Sequence, residues 1–149
     1  MRRVTVTRRY HLPALHILSG PSLSPDDNFR VFGPCSRLHG HDYQIEVTLA
    51  GPVDPDSGLV VGRDELDLLV RRNLLEPYRG TNLSSYFTHT TGEALALEFF
   101  RILESALPHA LQLEKLTLRE TAKNSFIVHR PGSRIPGSGE PSATSSTLP

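Results

Sequence analysis

From Asp42 to Ala50 the chain alternates without a break. Tyr43, Ile45, Val47 and Leu49 fall on one side, and Asp42, Gln44, Glu46 and Thr48 on the other. A two-residue period of this kind is a β-strand with one buried face and one polar face, which calls for an antiparallel sheet covered on one side only. Directly upstream lies Cys35-Ser-Arg-Leu-His-Gly-His41, which holds the only cysteine and two of the seven histidines. In extended chain, residues i and i+2 point the same way, so His39 and His41 present both imidazoles on one side, roughly 6.5 Å apart. That geometry suits two ligands converging on one metal ion. The segment by itself lacks a third ligand, a pocket and a proton-transfer partner.

The remaining elements follow from the same kind of pattern. Val4, Val6, Arg8 and Tyr10 alternate with Thr5, Thr7 and Arg9, which predicts a strand over residues 2–12, with Pro13 ending its ladder. A long loop then leads to Cys35, containing a short helix capped by Ser24, started by Pro25 and closed by Gly33-Pro34. Long loops inside compact domains are usually functional. Leu66, Leu69, Val70 and Leu74 predict a helix over 63–75, ended by Pro77 and Gly80. A second helix is predicted from 91 to 107, opened by a capping box with Thr90 as N-cap and Glu93 at N3, and stopped by Pro108. Residues 113–121 and 124–130 read as a β-hairpin in which Glu120 continues the apolar face of Leu116 and Leu118. The order β-β-α-α-β-β predicts an α+β fold, an antiparallel four-stranded sheet with two helices on one face. Its two open edges make oligomerisation through the sheet an expectation on physical grounds. From Pro131 onward Pro, Gly, Ser and Thr dominate, so residues 1–130 form the expected domain and 131–149 an expected disordered tail.

Composition narrows the partners. Lys plus Arg equals Asp plus Glu at 16 each, so there is no basic surplus for nucleic acid or an anionic membrane. No apolar run reaches the 18 or so residues of a membrane span, and no signal peptide is seen ahead of the first strand. A lone cysteine rules out an internal disulfide and favours a reducing compartment, so a cytoplasmic location is expected.

The order and spacing of several short motifs resemble those of the 6-pyruvoyl-tetrahydropterin synthase family. They are Ala14-Leu15-His16, Asn28 with Phe32-Gly33-Pro34-Cys35, His39-Gly40-His41-Asp42-Tyr43, Asp56-Ser57-Gly58-Leu59-Val60 and Glu120-Thr121. That family includes the 6-carboxytetrahydropterin synthases of queuosine biosynthesis, and the three-residue gap between Cys35 and His39 looks more like this bacterial branch. The resemblance implies a tunnelling fold, in which sheets join edge to edge into an oligomeric barrel as trimers, usually stacked as hexamers, with sites between subunits. It implies one Zn²⁺ per subunit on His16, His39 and His41. It also implies 7,8-dihydroneopterin triphosphate as substrate, Glu120 holding the pterin ring with Thr91 as a further substrate contact, and Cys35 as base or acid. The product would be a 6-carboxy- or 6-pyruvoyl-tetrahydropterin. Physical chemistry is consistent with this set: three neutral imidazoles with an open position mark a catalytic zinc, a thiol beside a dication is acidified, and a carboxylate can accept two parallel N–H bonds from a pterin.

The pattern also departs from that family. Where its members carry an Asp-His pair after the first helix, this chain has Arg79-Gly80, neither of which is a general base. The usual Val-x-Asp-Phe stretch is replaced at Gly62-Arg63, and the Pro-Thr-x-Glu-Asn motif survives in part as Thr90-Thr91-Gly92-Glu93-Ala94. Three alternatives stay open from sequence: His89 stands in for the missing histidine, a related reaction needs only Cys35 and zinc, or the chain is a divergent homologue that binds a pterin without converting it. His11, His109 and His129 carry no assigned role, and Arg79 is either a surface residue or a phosphate contact.

Overall fold

The computed structural model describes residues 2–133. The elements are β1 (Val4–His16), α1 (Pro25–Phe32), β2 (His39–Gly51), α2 (Arg63–Val70), α3 (Glu76–Tyr78), α4 (Gly92–Ala106), β3 (Gln112–Arg119) and β4 (Ser125–His129). The four strands form one sheet in the order β1-β2-β3-β4, antiparallel throughout. The α+β architecture expected from the alternation is therefore present. Of the expected tail, Pro131–Ser133 is described, with the Ser133 N–H bonded to the Arg130 carbonyl; the rest lies outside the described residues.

One face of the sheet is the core. Tyr10, Leu12 and Ala14 of β1, Tyr43, Ile45, Val47 and Leu49 of β2, and Leu113, Leu116 and Leu118 of β3 are buried against Leu66, Val70, Leu74, Leu95, Phe99 and Leu103 from the helices. Each Leu, Ile, Val or Phe among them contributes about 1.5–3 kcal/mol on full burial. The two-residue phase of β3 jumps between Leu113 and Leu116. A register shift at Thr48/Leu49 absorbs the extra residue and turns Leu116 and Leu118 onto the core face. Glu120, next in phase, follows them. The opposite face is polar, with a Thr7–Thr48 hydroxyl pair at 2.8 Å and an Arg9–Glu46 ion pair at 2.8 Å.

Four expectations need correction. β1 does not stop before Pro13 but runs to His16. The Pro13 carbonyl accepts from Gly80 N–H on the outer edge of β1, so the missing N–H of Pro13 faces away from β2 and no ladder bond is lost. The helix begun at Arg63 does not end at Pro77. It widens to one π turn over Arg71–Leu75 and continues through Tyr78 as α3 with Pro77 inside it, before Gly80 takes positive φ. The capping box does not form: Thr91, not Thr90, is the N-cap of α4, and its hydroxyl accepts from Ala94 N–H. β2 starts at His39 rather than Asp42, so the extended histidine pair is part of the strand itself.

Candidate functional site

The site lies at one end of the sheet, on the side of the helices. Register places His16 directly opposite His39 and Ala14 opposite His41 in the β1–β2 ladder. All three histidines belong to the phase that continues inward as Leu12 and Tyr43, so their rings project to the core side. His16 is fully buried, and His39 and His41 are half-buried. One ligand atom from each lies within 4.8 Å of the others. The His16 and His41 Nε2 atoms are 3.1 Å apart.

Hydrogen bonds set the tautomers. His16 Nδ1 is 2.7 Å from the Thr90 carbonyl oxygen, and His39 Nδ1 is 2.7 Å from the Arg37 carbonyl oxygen. A carbonyl only accepts, so both Nδ1 atoms carry the proton and both Nε2 atoms are left with a lone pair. The Tyr43 hydroxyl oxygen, 3.2 Å from His16 Nδ1, shares that proton as a second acceptor. Burial pushes the pKa of His16 down, with the Thr90 carbonyl opposing and the neighbouring His39 adding to the shift. Burial likewise lowers His41. Burial, and secondarily the nearby Glu120 carboxylate, raise the Tyr43 phenol. Burial thus favours the neutral form of His16 and His41, and His16 and His39 each present an Nε2 lone pair, the donor chemistry a divalent metal such as zinc requires.

Glu120 joins this cluster. Its Oε1 lies 3.7 Å from His16 Nε2 and 3.8 Å from His41 Nε2, with the side chain mostly buried. The Glu120 N–H is held by the Asn124 carbonyl just past the end of β3. The turn carrying Cys35, Gly33–Ser36, is tied to β1 through the Leu18 N–H and the Cys35 carbonyl at 2.9 Å, two residues beyond His16. The Cys35 side chain is exposed and stands outside the histidine cluster. His89 is exposed and has no hydrogen-bond or ion-pair partner among the described residues, although the next residue, Thr90, is bonded to His16. Thr91 caps α4 one residue further on. Arg79 and Gly80 are exposed; Gly80 takes φ of 69° and donates its N–H to Pro13. The structure thus brings His16, His39, His41 and Glu120 together, and leaves Cys35 and His89 outside that group.

Three participants were not anticipated. The buried Thr90 hydroxyl donates to the Ile17 carbonyl at 2.9 Å and lies 3.1 Å from Ser84 Oγ. Ser84 Oγ in turn accepts from Ile17 N–H at 2.9 Å. Together with the Thr90 carbonyl on His16, these bonds clasp the end of β1 to the segment before α4. Tyr43 was legible as a core residue, and its phase with His39 and His41 was the available signal for its place beside the three histidines.

Comparison with known proteins now decides the family. The family model described as 6-pyruvoyl tetrahydropterin synthase matches residues 5–131. The chain belongs to the 6-pyruvoyl tetrahydropterin synthase family. It is 33% identical to a 6-pyruvoyl tetrahydrobiopterin synthase of Drosophila melanogaster over 85% of this chain and 79% of that protein. It is 28% identical to the 6-carboxy-5,6,7,8-tetrahydropterin synthase of Bacillus subtilis (strain 168) over 81% of each. Its fold superposes on the structure of Caenorhabditis elegans 6-pyruvoyl tetrahydropterin synthase with a TM-score of 0.79 at 32% identity, covering 87% of this chain and 97% of that one. Among the described residues no helix is long and apolar enough to cross a membrane.

Proposed function

We propose that this chain is a zinc-dependent lyase that converts 7,8-dihydroneopterin triphosphate to a 6-substituted tetrahydropterin. The observation that carries the reading is the convergence of His16, His39 and His41, two of them with Nε2 lone pairs preset by backbone carbonyls, next to the Glu120 carboxylate. Family membership supplies the substrate class. The three histidines would hold the metal, and a bound zinc would supply Lewis acidity to the oxygens of the substrate side chain. Glu120 would accept the 2-amino and ring N–H groups of the pterin in a paired, charge-assisted contact. Thr91 keeps its hydroxyl proton for a further contact, because its oxygen is the atom that accepts from Ala94. Cys35, exposed on the turn tied to Leu18, would take the proton from the substrate side chain as a thiolate. His89 would exchange protons on the opposite side if a neighbouring subunit or the substrate brings it into reach. An assembly of copies joined through the outer edge of β4 and the part of β1 before Pro13, as a trimer or hexamer in the cytoplasm, belongs to the same reading. The Cys35–His39 spacing favours the 6-carboxy product, while the higher identity to the Drosophila protein favours the 6-pyruvoyl product. The test is release of inorganic triphosphate from 7,8-dihydroneopterin triphosphate by the zinc-loaded protein. Release above a Cys35→Ala control supports the reading, and release no greater than that control defeats it.

A second reading is favoured by one specific feature. Gly80 occupies a left-handed backbone conformation and its amide is spent on β1, so the Arg79-Gly80 turn serves the fold and offers no base. A pterin-binding homologue without turnover follows from that loss. It predicts calorimetric binding of a pterin that disappears in Glu120→Ala, with no triphosphate released; measured release rejects it.

A further inference from the structure

Glu120 occupies a position that pterin recognition alone does not explain. Its Oε1 is nearly equidistant from two imidazole nitrogens, 3.7 Å from His16 Nε2 and 3.8 Å from His41 Nε2, and those two are 3.1 Å from each other. His16 Nε2 carries a lone pair, because its Nδ1 proton is given to the Thr90 carbonyl. That lone pair and the carboxylate oxygen repel each other across 3.7 Å, and a divalent cation held between them would turn the contact attractive. With zinc–nitrogen bonds of about 2.0–2.1 Å, neighbouring ligand atoms of a tetrahedral site are about 3.3 Å apart. The nitrogen pair is at that separation, and the carboxylate oxygen is a few tenths of an ångström beyond it. Rotation of a glutamate side chain closes such a gap.

We infer that Glu120 is the fourth ligand of the resting metal centre, closing the position that substrate must open. This rests on the tri-histidine reading above and deepens it. The carboxylate that a pterin would need as its acceptor is the same group that blocks the metal in its absence. Docking of a pterin on Glu120 therefore withdraws the carboxylate and exposes the metal position in one exchange, carboxylate out and substrate oxygen in, with no proton transferred. A site closed by its own substrate-recognition residue is also protected from water and small anions while empty.

The test uses the full chain loaded with Co²⁺, whose visible absorption reports on coordination, and sodium azide as a small competing ligand. The expected result is that azide leaves the spectrum of the parent protein unchanged over concentrations at which it alters both Glu120→Gln and Glu120→Ala. Zinc affinity, measured by competition with a chromophoric chelator, is expected to fall by at least about tenfold in Glu120→Gln, the lower bound for losing even a residue that only supports a ligand. The parent measurement stands whether or not a variant folds, and circular dichroism checks the variants. A parent protein that takes azide as readily as the variants, with equal zinc affinity, overturns the inference while leaving the tri-histidine site intact. A protein that binds neither zinc nor cobalt overturns both.

Discussion

Replacing Thr90 by valine removes one hydroxyl from the clasp that holds the end of β1, and its cost can be worked out from the partners. Thr90 Oγ1 donates to the Ile17 carbonyl, but that carbonyl also accepts from Ser84 Oγ at 3.2 Å, so it is not orphaned in the variant. Ser84 keeps its bond from the Ile17 N–H. The Thr90 backbone carbonyl, and with it the bond to His16, is untouched by the substitution. The expected loss is that of one ordinary hydrogen bond, about 1 kcal/mol, rather than the larger penalty of leaving a buried group without a partner. For a chain of this size that corresponds to a fall of about 3–5 °C in Tm. Ile17 adjoins His16, so the looser clasp should also weaken zinc binding by roughly tenfold, as loss of supporting hydrogen bonds does at other metal sites. Urea unfolding at constant m-value and chelator competition measure the two effects. A Thr90→Val protein with parental stability and parental zinc affinity would refute the clasp, and a loss above about 3 kcal/mol would show that Ile17 or Ser84 had been orphaned.

Gly80 has φ of 69° and open space where a Cβ would stand, so Gly80→Ala should lose about 1 kcal/mol from backbone strain alone and Gly80→Asn less, measured by urea midpoints. Leu83 is fully buried beneath the loop that carries Ser84, and Leu83→Ala should cost about 2–5 kcal/mol by the same assay; a loss below about 1 kcal/mol would mean that the loop does not pack there. Asp67 accepts two bonds from Arg8, at 2.7 and 2.9 Å, and one from the Tyr10 hydroxyl at 2.8 Å. The Arg8 bonds, chiefly, hold its carboxyl below the ordinary 3.8. In the pH range between those values the unfolded chain binds more protons than the folded one. The stability from this contact is therefore complete above about pH 4 and lost as pH falls through the lowered value. Asp67→Asn should erase that part of the acid dependence, and an unchanged pH–stability curve in the variant would contradict the assignment.

Much of this site was legible one residue at a time, and the illegible parts have physical causes. The period of Tyr43, Ile45, Val47 and Leu49 announced the sheet, and carrying that phase two steps back places His41 and His39 on its inner face. Glu120 could be read in phase with Leu116 and Leu118 and is found beside the histidines. His16 looked like a loop residue because Pro13 looked like a breaker; whether a proline breaks a strand depends on which way its missing N–H points, and only the pairing of β1 with β2 and Gly80 settles that. The π turn before Pro77 likewise depends on how the helix seats Leu74 and Leu75 in the core. Thr90 reaches His16 through a backbone carbonyl, a group every residue has, so no side-chain pattern could reveal it. The capping box failed by one residue because both Thr90 and Thr91 can cap, and Thr90 is used by Ile17 instead.

The most direct test of the account is zinc stoichiometry measured together with turnover on one preparation. The protein is stripped with a chelator, reloaded with zinc, and assayed at each stage for triphosphate release from 7,8-dihydroneopterin triphosphate, beside His39→Ala. The expected result is one zinc per chain, release that vanishes on stripping and returns on reloading, and neither zinc nor release in the variant. Release that persists at the same rate in the stripped protein, or one zinc retained by His39→Ala with full activity, would contradict it.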